Sequence, residues 1–212
     1  MSSLFNILEV QKPQIGVNRL ISSKKIFFMN RCDWVSDKIH IKYHDTEWGV
    51  PLHNDRKLFE FLVLDGMQAG LSWKIILKKR TALRKAFDMF DPKKISTYSK
   101  DDITQLLSNK EIIRNEQKIK SVINNASKFL ETKSEFGTFD SYVWSFVNYK
   151  SQINQFKRWQ DIPSSSKESE KMSKDMKERG FTFVGPKICY AYMQTIGMVN
   201  DHILSCFRKN EI

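Results

Sequence analysis

An all-α fold is what the amino-acid sequence predicts, and three observations carry the prediction. Apolar residues recur every three or four positions along most of the chain, capping residues and Gly or Pro stops punctuate those runs, and few stretches alternate as a half-buried strand would. Composition permits it: 41% of the 212 residues are hydrophobic, 15 of them Phe, enough to bury one core. No apolar run approaches the ~18 residues that crossing a membrane needs.

The elements follow in order. The first 28 residues hold four basic side chains and one acid, Glu9, without the apolar stretch of a secretory leader. They read as a disordered extension before a domain spanning 29–212. Residues 31–51 are irregular and rich in aromatics. Asn54 or Asp55 then caps a helix carrying Leu58, Phe59, Leu62 and Val63, which ends near Gly66. Gly70 breaks the chain, and Ser72 caps a helix with Trp73, Ile76, Leu77, Leu83 and Phe87 at helical spacing, stopped by Asp91-Pro92.

Ser99 and Asp102 form a carboxylate variant of the capping box ahead of Ile103, Leu106 and Leu107. Ile119, Val122, Ile123, Ala126 and Phe129 make the inner stripe of a longer helix, and Phe139, Tyr142, Val143 and Phe146 that of another. Residues 163–167 read as a Ser-rich mobile linker, followed by a charged helix ending at Arg179-Gly180. Pro186 opens the last helix, with Ile188, Ala191, Tyr192 and Thr195 turned inward and Gly197 closing it.

Lys and Arg outnumber Asp and Glu by 35 to 24, a formal charge of +11. Such an excess points to a polyanionic partner or to basic composition across a whole proteome, and says nothing of fold. Three cysteines without a leader make no disulfide framework and suit a reducing cytoplasm.

Chemistry concentrates in three places. Cys32 and His44 near the start, with His202 and Cys206 four apart near the end, offer the thiolates and imidazoles of a structural zinc site. Spacing alone leaves this open beside an incidental pairing. Cys189 reads as a core thiol, and His40 and His53 lack any such partner. Between Arg179 and Lys187, two glycines and a proline-started helix resemble a helix-hairpin-helix that holds phosphate on backbone N–H groups; an ordinary Gly-capped turn also fits. Trp34, Tyr43, Trp48 and Trp73 surround Asp45, Glu47 and Asp65, as stacking rings and a hydrogen-bonding carboxylate would surround a flipped base. Taken singly, each of these residues also suits a core or cap, and Asp45 and Glu47 are read as structural.

Taken together the segments resemble a family. Cys32-Asp33-Trp34-Val35, the run from Tyr43 to Pro51, Gln68-Ala69-Gly70-Leu71-Ser72-Trp73, Val143-Trp144-Ser145-Phe146-Val147 and Phe183-Val184-Gly185 through Asp201-His202 are similar to 3-methyladenine DNA glycosylase I, in the same order from Met29 to Cys206. The resemblance implies a helix-hairpin-helix glycosylase fold with a zinc-bearing lobe joining the two ends of the chain. It implies one structural zinc on Cys32, His44, His202 and Cys206, and a base pocket of Trp34, Trp48 and Trp73 with Tyr43 and Asp65 as catalytic residues. DNA contacts fall on Gly70, Leu71, Gly180, Val184, Gly185 and Lys187. The implied activity is that of a monomer hydrolysing the N-glycosidic bond of 3-methyladenine in double-stranded DNA, with no lyase step and no membrane partner.

One position departs from the pattern: Asp65 stands where the family usually carries Glu, about 1.5 Å shorter by one C–C bond. Met67, often polar in the family, reads as filling, and Asp201 as support for the neighbouring metal ligand. Two readings compete: a non-catalytic zinc-stabilised DNA-binding module, and a glycosylase for another alkylated purine, which shares the fold.

Overall fold

The computed structural model describes residues 29–212; the expected extension lies outside them. Its architecture is set by one helix, α2 (Asp55–Gln68), in which every residue from Leu58 to Met67 is buried. A helix buried on all sides belongs at the centre, with others packed round it. Asn54 caps it by accepting from the backbone N of Lys57 at 3.1 Å. Packed against it are α3 (Trp73–Ala86), α6 (Glu116–Phe136), α7 (Phe139–Ser145) and α9 (Pro186–Thr195). The shorter α4 (Pro92–Ile95) and α5 (Lys100–Ser108) lie on α6, and α8 (Lys167–Glu178) lies on α9.

The all-α expectation holds. Among the described residues the strand content is one parallel pair, β1 (Gln152–Ile153) and β2 (Val199–Asn200), in register Gln152 to Val199. The capping box at Ser99 and Asp102 forms as expected. Ser166, read as linker, caps α8 in a second box with Ser169.

Two helices escaped the sequence reading. Residues 31–51 are not irregular throughout, because α1 (Lys38–Thr46) lies within them, capped by Asp37. Its buried positions are His40, Tyr43 and His44, at helical spacing but without the aliphatic signal that periodicity detects. Beyond Asp91-Pro92 the chain re-enters a helix at once, since Pro fits the first turn and Asp91 accepts from Lys93 N.

The ends of the described chain are sewn together. Phe207 N donates to Asn30 O (2.9 Å), Gly49 N to Gln194 O (3.1 Å) and Leu52 N to Ile196 O (3.0 Å). Gly197 makes this seam possible: at φ +76°, an added Cβ would lie 2.5 Å from Pro51 N. Among the described residues, no helix is long and apolar enough to cross a membrane.

Candidate active site

The folded chain gathers five of the expected residues around one cavity of about 260 Å³. Trp34, Tyr43, Trp48, Asp65 and Trp73 line it, joined by His40, Gln68, Trp159, Ala191, Gln194 and Thr195. Trp34 packs edge-on against Trp48 with centroids 5.2 Å apart and lies 6.1 Å from Trp159. Across the cavity Tyr43 and Trp73 are 5.3 Å apart, and the Tyr43 hydroxyl donates to Thr195 Oγ1 at 3.1 Å.

Asp65 reaches this cavity from the central helix. Only 2% exposed, it leaves Oδ2 buried without a hydrogen-bond partner among the described residues. Burial pushes its carboxyl well above the usual carboxylate range and, with the Asp65 charge beside it, pushes the Tyr43 phenol up as well. Trp34 Nε1 and Trp73 Nε1 are likewise buried and unpaired. Buried polar atoms are normally satisfied, so three orphans around one cavity point to a ligand that supplies their partners. An acidic group in an aromatic box suits a flat, cationic, hydrogen-bonding guest.

Directly behind the box lie Cys32, His44, His202 and Cys206, all buried, their ligand atoms within 4.8 Å of one another. Cys206 Sγ is 3.3 Å from His44 Nε2 and 3.4 Å from His202 Nδ1, and Cys32 Sγ is 3.6 Å from His202 Nδ1. A zinc tetrahedron with ordinary Zn–S and Zn–N bonds has S···N edges of about 3.6 Å, so the donor set fits that ion. The outer nitrogens are engaged too: His44 Nδ1 lies 2.8 Å from Asp45 Oδ1, and His202 Nε2 3.2 Å from Trp48 O. Donating there turns each ring's other nitrogen toward the cluster. Arg31 in turn holds Asp45, Nη2 to Oδ2 at 2.7 Å.

Asp201 does not take the part expected of it. Its carboxylate accepts from Asn154 Nδ2, Tyr190 Oη and Gln194 Nε2, so Asp45 and the Trp48 carbonyl, not Asp201, support the imidazoles. Asp45 and Glu47 are structural as read, Glu47 pairing with Arg80 at 2.7 Å. The cluster and the cavity share walls. Trp34 follows Cys32 by two residues and packs on the His44 ring, while the Trp48 and His202 centroids are 4.5 Å apart.

The turn after α2 and the one between α8 and α9 carry the remaining expected residues. Gly70 is exposed at φ +74° and Leu71 half-buried. Lys118 braces this turn from α6, Nζ donating to Met67 O at 2.8 Å and Ala69 O at 2.5 Å. In the second turn Gly180 and Lys187 are exposed, Gly185 is half-buried, and Val184 is buried, so its side chain belongs to the core. Asn125 clasps Thr182, donating to its O and accepting from its N, both at 2.9 Å.

Sequence reasoning missed five of the lining residues. Ala191, Gln194 and Thr195 share a face of α9 at i, i+3 and i+4, and two of them were read only as core. His40 shares a face of α1 with Tyr43, its Nδ1 lying 3.0 Å from Ser36 Oγ. Trp159 comes from a short 3₁₀ turn and has no periodic signal at all.

The comparisons agree with this geometry. A family described as methyladenine glycosylase matches residues 34–209. DNA-3-methyladenine glycosylase 1 of Escherichia coli (strain K12) is 46% identical over 179 residues, 84% of this chain and 96% of that protein. DNA-3-methyladenine glycosylase of Haemophilus influenzae is 42% identical, covering 83% and 96%. Among solved structures, 3-methyladenine DNA glycosylase I from Staphylococcus aureus, solved for the basis of its 3-methyladenine recognition, superposes with a TM-score of 0.82 at 33% identity, covering 85% of this chain and 97% of that one. This chain belongs to the methyladenine glycosylase family.

Proposed function

We propose that the chain excises 3-methyladenine from alkylated double-stranded DNA by hydrolysing the N-glycosidic bond of the flipped nucleotide, as a monofunctional base-excision repair enzyme. The observation that carries this reading is Asp65, a buried carboxyl with an unpaired oxygen, facing a cavity walled by four tryptophans and Tyr43 in a chain of this family.

Methylation at N3 leaves adenine with a delocalised positive charge, which makes it a good leaving group. The site then has little general-acid work to do. It captures the extruded base by stacking on Trp34, Trp48 and Trp73, attracts its charge to the aromatic faces, and pairs its edge with Asp65. Tyr43, fixed by Thr195, closes the edge of the pocket. Asp65 reaches less far than Glu would, and a small displacement of the base toward α2 or a bridging water restores contact. Low dielectric inside the box strengthens each of these interactions.

Cys32, His44, His202 and Cys206 would hold one structural Zn²⁺, which would supply no chemistry to the reaction; these four residues tie together the walls that bear Trp34, Tyr43 and Trp48. Gly70 and Leu71 fill the gap left by the extruded nucleotide. Gly180, Gly185 and Lys187, with the Val184 backbone, hold phosphate in a helix-hairpin-helix manner without reading sequence. The domain, 29–212, acts as a monomer in the cytoplasm.

The test is incubation of the purified chain with methylated duplex DNA and identification of the free base by mass spectrometry. Released 3-methyladenine supports the proposal. Binding without release supports a zinc-stabilised DNA-binding module, and release of a different methylated purine redefines the lesion.

A further inference from the structure

The cavity has a second acceptor that neither the sequence nor the family likeness assigns. Gln194 lines it from α9 and is 9% exposed. Its Nε2 donates to Asp201 Oδ2 at 2.8 Å. A carboxylate only accepts, so the amide orientation is fixed by chemistry: the nitrogen faces Asp201 and the carbonyl oxygen faces away. Asp201 is itself immobile, 1% exposed, accepting from Tyr190 Oη at 2.7 Å and from Asn154 Nδ2 at 2.7 Å. Burial and the Asp201 charge push the Tyr190 phenol up, which keeps it a donor. No hydrogen bond from the described residues reaches Gln194 Oε1, and that atom is not among the sealed orphans, so the little surface Gln194 retains gives onto the cavity.

We infer that Gln194 is a specificity-determining residue, its Oε1 accepting from the exocyclic amine that adenine bears at C6. The inference rests on the activity proposed above and deepens it. Guanine carries a carbonyl oxygen at C6, which would set acceptor against acceptor in a dry site and leave both unpaired. The Asp201 anchor is what gives this discrimination its sign, because a freely turning amide would serve either base.

The experiment is titration of the full chain with free 3-methyladenine and free 3-methylguanine, followed by tryptophan fluorescence, in wild type, Gln194→Met and Asp201→Asn. Gln194→Met keeps volume and removes the acceptor. Its affinity for 3-methyladenine should fall roughly tenfold while that for 3-methylguanine holds or rises, so the ratio between the bases collapses. Asp201→Asn leaves the cavity wall intact and frees the amide to turn, so its ratio should move the same way. A merely structural role would weaken both bases alike, and an unchanged ratio in either folded variant overturns the inference. A wild type that neither binds 3-methyladenine nor releases it from DNA overturns the proposed function itself.

Discussion

Replacing Asp65 with Asn separates function from stability, and the two should move in opposite directions. The side chain is 2% exposed and Oδ2 has no partner among the described residues. Its pairing with a cationic base is therefore a charge-assisted bond with no competitor in the site, of about 1.5–3 kcal/mol. The carboxyl must first ionise in a buried place, which offsets part of that, so single-turnover excision should fall about tenfold or more.

Stability runs the other way. Because burial raises the folded pKa, the unfolded chain above about pH 4 has released a proton that the folded chain retains. Fewer protons on the unfolded state means that stability falls as pH rises from the unfolded pKa toward the folded one. Asn does not titrate. Asp65→Asn should thus be as stable as wild type near pH 4 and more stable at pH 8, read by urea denaturation at both. A variant that keeps full single-turnover activity, or one that loses activity and stability together, refutes the reasoning.

Other perturbations test neighbouring parts. Tyr43→Phe removes the 3.1 Å bond to Thr195 and should cost about 1 kcal/mol of stability while lowering excision severalfold; unchanged excision would exclude Tyr43 from the pocket chemistry. Purified wild type should hold about one zinc per chain by mass spectrometry, and Cys206→Ser should lose both the metal and several kcal/mol of stability; a metal-free, fully folded wild type sinks the zinc assignment. Gly197→Ala drives a Cβ to 2.5 Å from Pro51 N at a left-handed φ, so thermal denaturation should show more than about 3 kcal/mol lost, and a neutral result would mean the seam gives way easily.

The sequence made the helical framework legible because apolar residues such as Ile119, Val122, Ala126 and Phe129 mark a buried face by period alone, and all four are buried. It failed at α1, whose inner face is spent on His40, Tyr43 and His44. There the same residues that build chemistry erase the apolar signal. Half of the cavity was legible through the density of Trp34, Trp48 and Trp73 around Asp65. The other half was not, because a glutamine on a helix looks exposed until tertiary packing closes over it, as Asp201 does over Gln194. The cluster of Cys32, His44, His202 and Cys206 was suggested by type and spacing, yet its convergence depends on Gly49, Gly197 and the seam between chain ends. Asp201 shows the converse error, since adjacency to His202 in sequence did not mean contact with its ring.

One measurement bears most directly on catalysis by this pocket: a single-turnover time course on methylated duplex DNA, counting free 3-methyladenine and abasic sites together. The two should rise one for one, with no strand cleavage, and Asp65→Asn should slow both equally. Abasic sites without 3-methyladenine, strand breaks keeping pace with release, or tight binding with no release would contradict it.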